Sequence, residues 1–192
     1  VSVGARWDRI GFRVADEFLG DGDDDSGART MTAASGHAGV VWRLANAFAP
    51  YANVASAFET PTTTELNARE DGAGGFNGSL GPQRIRSMEL GARGRVGGRL
   101  AYEIAVFESG ARDAIVQFLE VGGRAFFRNA GRTRNRGAEL GLTGALTDWL
   151  TARGAYTIAD YRFTDYAVPS ASLPAPALDT LDGNRLAGVP ER

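Results

Sequence analysis

Two groups of side chains in this sequence have types and spacing that invite a chemical reading. Asp21, Asp23, Asp24 and Asp25 form an acidic run, and carboxylates at alternate positions can converge on one hard cation such as calcium. The match to a calcium loop breaks down at Ser26, where the tight turn needs glycine, and at Thr32, where a bidentate glutamate is required. The run is therefore read as a solvated loop. The second group is Arg112, Arg124, Arg128, Arg132, Arg134 and Arg136. Guanidinium forks grip anionic oxygens in pairs, so the ligands they suit are carboxylates, catecholates and phosphates.

Composition removes most other chemistry. His37 is the only histidine and there is no cysteine, so no histidine triad, multi-histidine metal site or thiolate chemistry can be assembled. No Gly-x-Ser-x-Gly elbow or P-loop occurs, and Gly91-Ala92-Arg93-Gly94 sits inside an alternating segment rather than opening a helix. We expect no catalytic residue, no cofactor and no metal centre, and hence no enzyme. The 21 basic residues are all arginine and face 23 acidic ones for a net charge of -2, which makes nucleic acid a poor partner.

The elements that must position the arginines are strands. Helical periodicity is scarce, whereas alternation with period two recurs. Leu150, Ala152, Gly154, Tyr156 and Ile158 share one parity against Thr151, Arg153 and Thr157. Met88, Leu90, Ala92, Gly94 and Val96 oppose Ser87, Glu89, Arg93 and Arg95 in the same way, and Leu140, Leu142 and Leu146 oppose Glu139 and Thr143. One parity suits lipid and the other water. No run of apolar residues is long enough for a spanning helix, but a spanning strand needs only about ten alternating residues.

Strands are expected at about 2–15, 31–44, 48–58, 84–97, 99–120, 125–147 and 149–163, with an eighth starting near Gly188. The fifth and sixth read as single long strands joined at Gly122-Gly123, a favoured hairpin turn. At ~3.3 Å per residue each would run roughly 60 Å or more and project beyond an apolar band roughly 25 Å tall. Short links at 46–48, 97–99 and 147–149 alternate with long polar ones at 16–30, 60–83 and 164–190, the asymmetry of a transmembrane barrel whose long loops are extracellular. An offset of 50 residues superposes Arg84 on Arg134, Arg86 on Arg136, Glu89 on Glu139 and Leu90 on Leu140, which we read as common hairpin grammar. Trp7, Trp42, Tyr51, Trp149 and Tyr156 are expected near strand ends, at the membrane boundary. The fold class is all-β: an antiparallel up-and-down meander forming about seven or eight strands of a larger transmembrane barrel. A porin or adhesin barrel, or a soluble β-sandwich binding module burying the 150–158 face against protein, are the rival readings.

Phe58-Glu59-Thr60-Pro61-Thr62-Thr63-Thr64-Glu65-Leu66 resembles the Phe-x-x-Pro-Thr-x-x-Glu-Leu segment of TonB-dependent receptors. Asn77 to Gln83, with Leu80 and Pro82, leading into Ser87-Met88-Glu89-Leu90-Gly91, is similar to the family's next stretch, and Asn129-Ala130-Gly131, Gly137-Ala138-Glu139 and Gly183 to Pro190 continue the likeness in order. The resemblance implies that residues 1–192 are part of the barrel domain of such a receptor, a 22-stranded outer-membrane barrel with a plugged lumen. It implies a Gram-negative outer-membrane location, import of ferric-siderophore-type cargo, and energy coupling to TonB through an amino-terminal region outside these residues. Plug, TonB box and closing strand have no counterpart here, and both ends read as cuts in a longer chain. Phe58, Pro61, Thr62, Glu65 and Leu66 are expected to be structural, with Glu65 and Thr62 bonding loop backbone, while Glu89 and Glu139 face the lumen where a carboxylate can pair with Arg93 or the plug. Arg112, Arg124, Arg128, Arg132 and Arg134 have two readings: a vestibule for anionic iron chelates, or an outer surface facing lipopolysaccharide phosphate.

Overall fold

The computed structural model describes residues 1–67, 69, 75–121, 124–129, 131–169 and 178–186. Period-two alternation becomes a single antiparallel layer of seven strands: β1 (Ser2–Val14), β2 (Gly27–Val41), β3 (Ala49–Glu59), β4 (Gln83–Val96), β5 (Leu100–Arg112), then β8 (Arg132–Ala145) and β9 (Thr151–Asp165), each hydrogen-bonded to the next. Between β5 and β8 rises a separate hairpin of β6 (Ile115–Val121) and β7 (Arg124–Asn129), and beyond β9 lies a short ladder of β10 (Ala167–Pro169) and β11 (Leu178–Thr180). A one-turn helix α1 (Thr63–Leu66) follows β3.

Two expectations need correction. The long strands read at 99–120 and 125–147 are each two strands, because the backbone turns out of the sheet at Asp113 (φ 55°) and at Gly131 (φ 90°). Glycine adopts positive φ without penalty and aspartate is among the few residues that tolerate it. The two turns face each other, so the hairpin leaves the sheet as a unit and pairs within itself from Ile115↔Asn129 to Val121↔Arg124. Gly122-Gly123 lies outside the described residues, as does Gly188. The eighth strand's pairing already begins earlier, since Arg185 bridges Arg162, and Phe163 N–H donates to Asn184 O at 3.0 Å. The second correction concerns the aromatics: Tyr156 pairs with Leu140 in the middle of the apolar stripe, Trp7 pairs with Ala34 midway along β1, and Tyr51 stands on the opposite, polar parity, so none of the three marks an outward strand end.

Register fixes the two faces. The partners Leu90↔Val106, Val106↔Ala138 and Ala138↔Ile158 form one lateral row, and Ala92↔Ile104, Ile104↔Leu140 and Leu140↔Tyr156 the row beneath. These side chains stand in the open: Leu90 is 61 % exposed, Tyr156 63 % and Ile158 42 %. No second layer covers them, so the sandwich expectation of a face buried against protein fails among the described residues. Each large apolar side chain left in water forgoes roughly 1.5–3 kcal/mol, and a lipid bilayer supplies that environment. Among the described residues no helix is long and apolar enough to cross a membrane. The outward apolar positions of β4 run from Val96 to Met88, about 26 Å of strand at ~3.3 Å per residue, or roughly 20 Å after tilt, near the expected apolar band.

Candidate functional site

What little core the described residues possess sits at the long-loop end, and it is built from the segments quoted above as motifs. Met31, Leu66 and Leu80 are buried together, with Phe12, Phe76, Ile115 and Phe127 packed against them. Pro61 is also fully buried; lacking an N–H, it ends the β3 ladder without leaving a donor stranded. Thr62 caps α1 reciprocally. Its hydroxyl accepts from Glu65 N–H at 3.3 Å while the Glu65 carboxylate accepts from Thr62 N–H at 2.7 Å, a capping box. That box aims Leu66 into the core, and Phe58 stays on β3 opposite Arg84. The structural roles expected for Thr62 and Glu65 thus have a geometry.

Asn77 is the hub that sequence reasoning missed as an individual residue. It is 2 % exposed, its N–H donates to Leu66 O at 2.5 Å and its Nδ2 to Phe127 O at 2.9 Å, while its Oδ1 accepts from Ser79 Oγ at 2.6 Å. Asn129 does the same from the hairpin side: Nδ2 donates to Gly81 O at 2.9 Å and to Asp113 O at 2.8 Å, and Oδ1 accepts from Gly81 N–H at 2.5 Å. Two asparagines therefore bind loop 60–82 to the β6–β7 hairpin through backbone groups that are expensive to leave unmade once buried. Because Met31 pairs with Ile10 on the parity of His37 and Ala55, this clamp lies over the polar face. The signal available in the sequence was the Asn-x-x-Leu spacing itself: a buried amide next to a buried leucine.

The polar face carries Tyr51, Glu89, Glu103 and Glu139. Tyr51 pairs with Gly91 and its ring lies where a side chain at 91 would be, an added Cβ standing 2.5 Å from the ring. Its hydroxyl meets Glu103 Oε1 at 3.4 Å, and Arg93 lies 6.0 Å from the ring centroid, at the outer limit of a cation–π contact. Glu89 neighbours this group, and Glu139 stands opposite Ala105 and Thr157, exposed on the same face. Arg93 lies beside Tyr51, and of the two partners expected for Glu89 and Glu139, Arg93 or the plug, Arg93 makes no ion pair with either among the described residues. An open cavity of about 1240 Å³ at the short-turn end is lined on this face by Arg43, Arg93, Arg95, Glu103 and Arg153.

The five candidate arginines separate. Arg128 belongs to the hairpin and donates from Nη2 to Ala167 O at 2.8 Å, bracing β10. Arg124 pairs with Val121 through backbone; its side chain lies outside the described residues. Arg112, Arg132 and Arg134 stand on the parity of the apolar stripe, facing outward above it, with Arg132 3.7 Å from Asp165. The acidic run does not converge: Asp24 accepts from Ser26 N–H at 2.9 Å, and Asp16, outside the run, accepts from Asp25 N–H at 3.1 Å. Among the described residues, no group of three or more candidate metal ligands comes together.

A single layer with one lipid-compatible face, one polar face, tight turns below and tied loops above is the wall of a large barrel. The family model described as TonB dependent receptor-like, beta-barrel, matches residues 1–192. The chain belongs to the TonB-dependent receptor family. This family is a non-enzymatic one of the Gram-negative outer membrane, and solved transporters and receptors superpose on the chain. The FrpB iron transporter of Neisseria meningitidis matches at 22 % identity and TM-score 0.62 over 85 % of this chain and 23 % of its own. The siderophore receptor PiuA of Acinetobacter baumannii matches at 18 % and 0.63 over 92 % and 24 %. The copper transporter OprC matches at 22 % and 0.67 over 83 % and 25 %. These likenesses establish a shared fold, and the chain spans about a quarter of the length of each of these three chains.

Proposed function

We propose that this chain is the wall segment of a receptor that imports ferric-siderophore-type cargo, drawing energy from TonB through a segment outside these residues. The observation that carries the reading is the clamp. Loop 60–82 and the β6–β7 hairpin are tied over the polar face at the long-loop end, where an extracellular ligand arrives and where a mouth must hold its shape to select one cargo. The arginines on the polar face support an anionic chelate as cargo. Arg43, Arg93, Arg95 and Arg153 have no carboxylate within ion-pairing distance among the described residues, and a face lined by one sign of charge raises the local concentration of anions. Likeness to an iron transporter and a siderophore receptor agrees with this, while likeness to a copper transporter supplies the alternative cargo to test.

The experiment is uptake by cells whose only such receptor is the one carrying this chain. Radioiron presented as catecholate, hydroxamate or carboxylate chelates should enter in a TonB-dependent manner for at least one class. Uptake of copper with no iron chelate transported, or iron uptake indifferent to TonB, would overturn the proposal.

A further inference from the structure

The polar face is not uniform along its strands. From the long-loop end its cross-strand rows pass through Ser87↔Ser109, Ser109↔Asn135 and Asn135↔Tyr161, which carry no formal charge at neutral pH, then through Glu89 and Glu139. They end near the short turns on Arg93 and Arg95 of β4 and Arg153 of β9. Glu89 and Arg95 are separated by six positions of β4, about 20 Å of strand, or roughly 15 Å along the membrane normal. One sign of charge is thus stacked above the other. An anion at the arginine level has carboxylates between itself and the long-loop end.

The arginine level is also hollow. Its cavity of about 1240 Å³ sets four guanidinium groups, Arg43, Arg93, Arg95 and Arg153, against the carboxylate of Glu103, which already accepts from the Tyr51 hydroxyl at 3.4 Å. Cross-strand pairing places Ala101 and Thr143 between Arg95 and Arg153, and Gly141 beside Glu103 in the row above. The floor is therefore low. Two glycines higher on the same face lie under rings: an added Cβ would stand 2.5 Å from Tyr51 at Gly91 and 2.5 Å from Phe107 at Gly137. At Gly141 it would meet nothing nearer than Glu103 O at 4.0 Å. Aromatic rings close the hollows at the carboxylate level, whereas the hollow among the arginines stays open.

Resting on the reading of an anionic chelate as cargo, we propose that this bay is an exit-side station. It receives the carboxylate or catecholate oxygens of a chelate that has passed the carboxylate level and holds them before release at the short-turn end. Guanidinium forks bind such oxygens two at a time. Arg95 and Arg153 stand three strand spacings apart, about 14 Å between backbones, so the forks reach opposite sides of one multidentate chelate while the low floor leaves room for its body. Glu89 and Glu139 above the bay repel an anion moving back. Release therefore runs one way, toward the short turns.

The test places a single cysteine in the whole receptor, any cysteine outside this cysteine-free chain being replaced by serine. Gly141→Cys puts the thiol in the bay, and Thr157→Cys puts it opposite Glu139 for reference. Each thiol is reacted with a sulfonate-bearing and a trimethylammonium-bearing thiosulfonate, and the ratio of the two rates, which cancels the thiol's own reactivity, is divided by that for free 2-mercaptoethanol. At 141 the anionic reagent should be favoured about tenfold or more, the low end of field effects in charged clefts, and less so at high salt. At 157 that preference should be absent. R95Q/R153Q should abolish it and R95K/R153K retain it. In cells, R95Q/R153Q should lower the maximal uptake rate of a carboxylate or catecholate chelate severalfold, leaving its affinity at the cell surface and the uptake of an uncharged hydroxamate chelate unchanged. Equal ratios at 141 and 157 overturn the bay, and so does a thiol at 141 closed to both reagents, since another part of the receptor then fills the space. Uptake that is unslowed, or slowed equally for charged and uncharged chelates, overturns its part in passage. A parent receptor that imports no chelate sinks the cargo reading above, while the reagent ratios decide the bay by themselves. If the glutamine variant does not fold, the ratios at 141 and 157 in the parent still decide.

Discussion

Placing an arginine at 140 and, separately, at 157 tests the two-faced wall directly. Leu140 lies on the outward row between Ile104 and Tyr156, while Thr157 on the adjacent strand turns to the polar face opposite Glu139. Leu140→Arg puts a guanidinium near mid-bilayer, for which barrel measurements indicate a cost of about 2–4 kcal/mol. Thr157→Arg adds the same group beside a carboxylate in water, where an exposed pair is worth ~0–1 kcal/mol. The two substitutions therefore differ by about 2–3 kcal/mol, a 30- to 150-fold change in folding equilibrium at roughly 1.4 kcal/mol per decade. The assay is urea-driven unfolding of the receptor in phospholipid vesicles, read by tryptophan emission and by the mobility difference between folded and boiled samples in gels. A loss below ~0.5 kcal/mol for Leu140→Arg, or an equal loss for both variants, would refute the assignment of faces, since ordinary surface substitutions fall within that margin.

Other expectations follow from the same contacts. Leu66→Ala should remove about 2–5 kcal/mol from the clamp, seen as faster amide exchange at 62–66 and 77–81 with β4 unchanged. Gly137→Val should drive Phe107 from its seat, because an added Cβ lies 2.5 Å from that ring and 2.6 Å from Ile158 O; overpacking of this kind costs about 1–3 kcal/mol, measurable as a lowered urea midpoint. The Ser26 hydroxyl and N–H hold the Asp24 carboxyl below its ordinary value of 3.8. A depressed carboxylate stabilises above its unfolded pKa and loses that contribution as pH falls through the folded one. Protection of the Ser26 amide, which the Asp24 carboxylate accepts, should therefore persist at pH 5 and fall as pH drops below the ordinary carboxylate range, and Asp24→Asn should abolish that step at Ser26.

Much of this wall was readable because alternation states both strand and face in the same residues. Leu140, Leu142 and Tyr156 announced a lipid side, Glu89 and Glu139 a wet one, and the register puts the two sets on opposite faces. The same parity rule already placed Arg132, Arg134 and Arg136 with Leu140 rather than with Glu139, Arg112 with Val106, and Arg84 and Arg86 with Leu90. Grouping arginines by proximity in sequence hid that, because a cluster along a chain spans both faces of a strand. The breaks at Asp113 and Gly131 were less accessible: each is a single dihedral choice inside a segment that reads as one long strand, and only their opposition across the sheet makes the hairpin leave it. Asn77 and Asn129 were hard for another reason, since an amide in a polar loop looks solvated until its partners, some fifty residues away, are known.

The reciprocal bonds between Asn129 and Gly81 also decide what an outside observer of the cell can recognise. Residues 77–81 and the hairpin residues Phe127 and Asn129 are joined from two distant stretches of chain, so an antibody or phage fibre that grips this junction reads a conformational epitope. Peptides copied from either stretch alone would carry half of that surface without the bonds that shape it. Immunisation with the folded wall, rather than with its loops as peptides, is the route to reagents that bind the living cell.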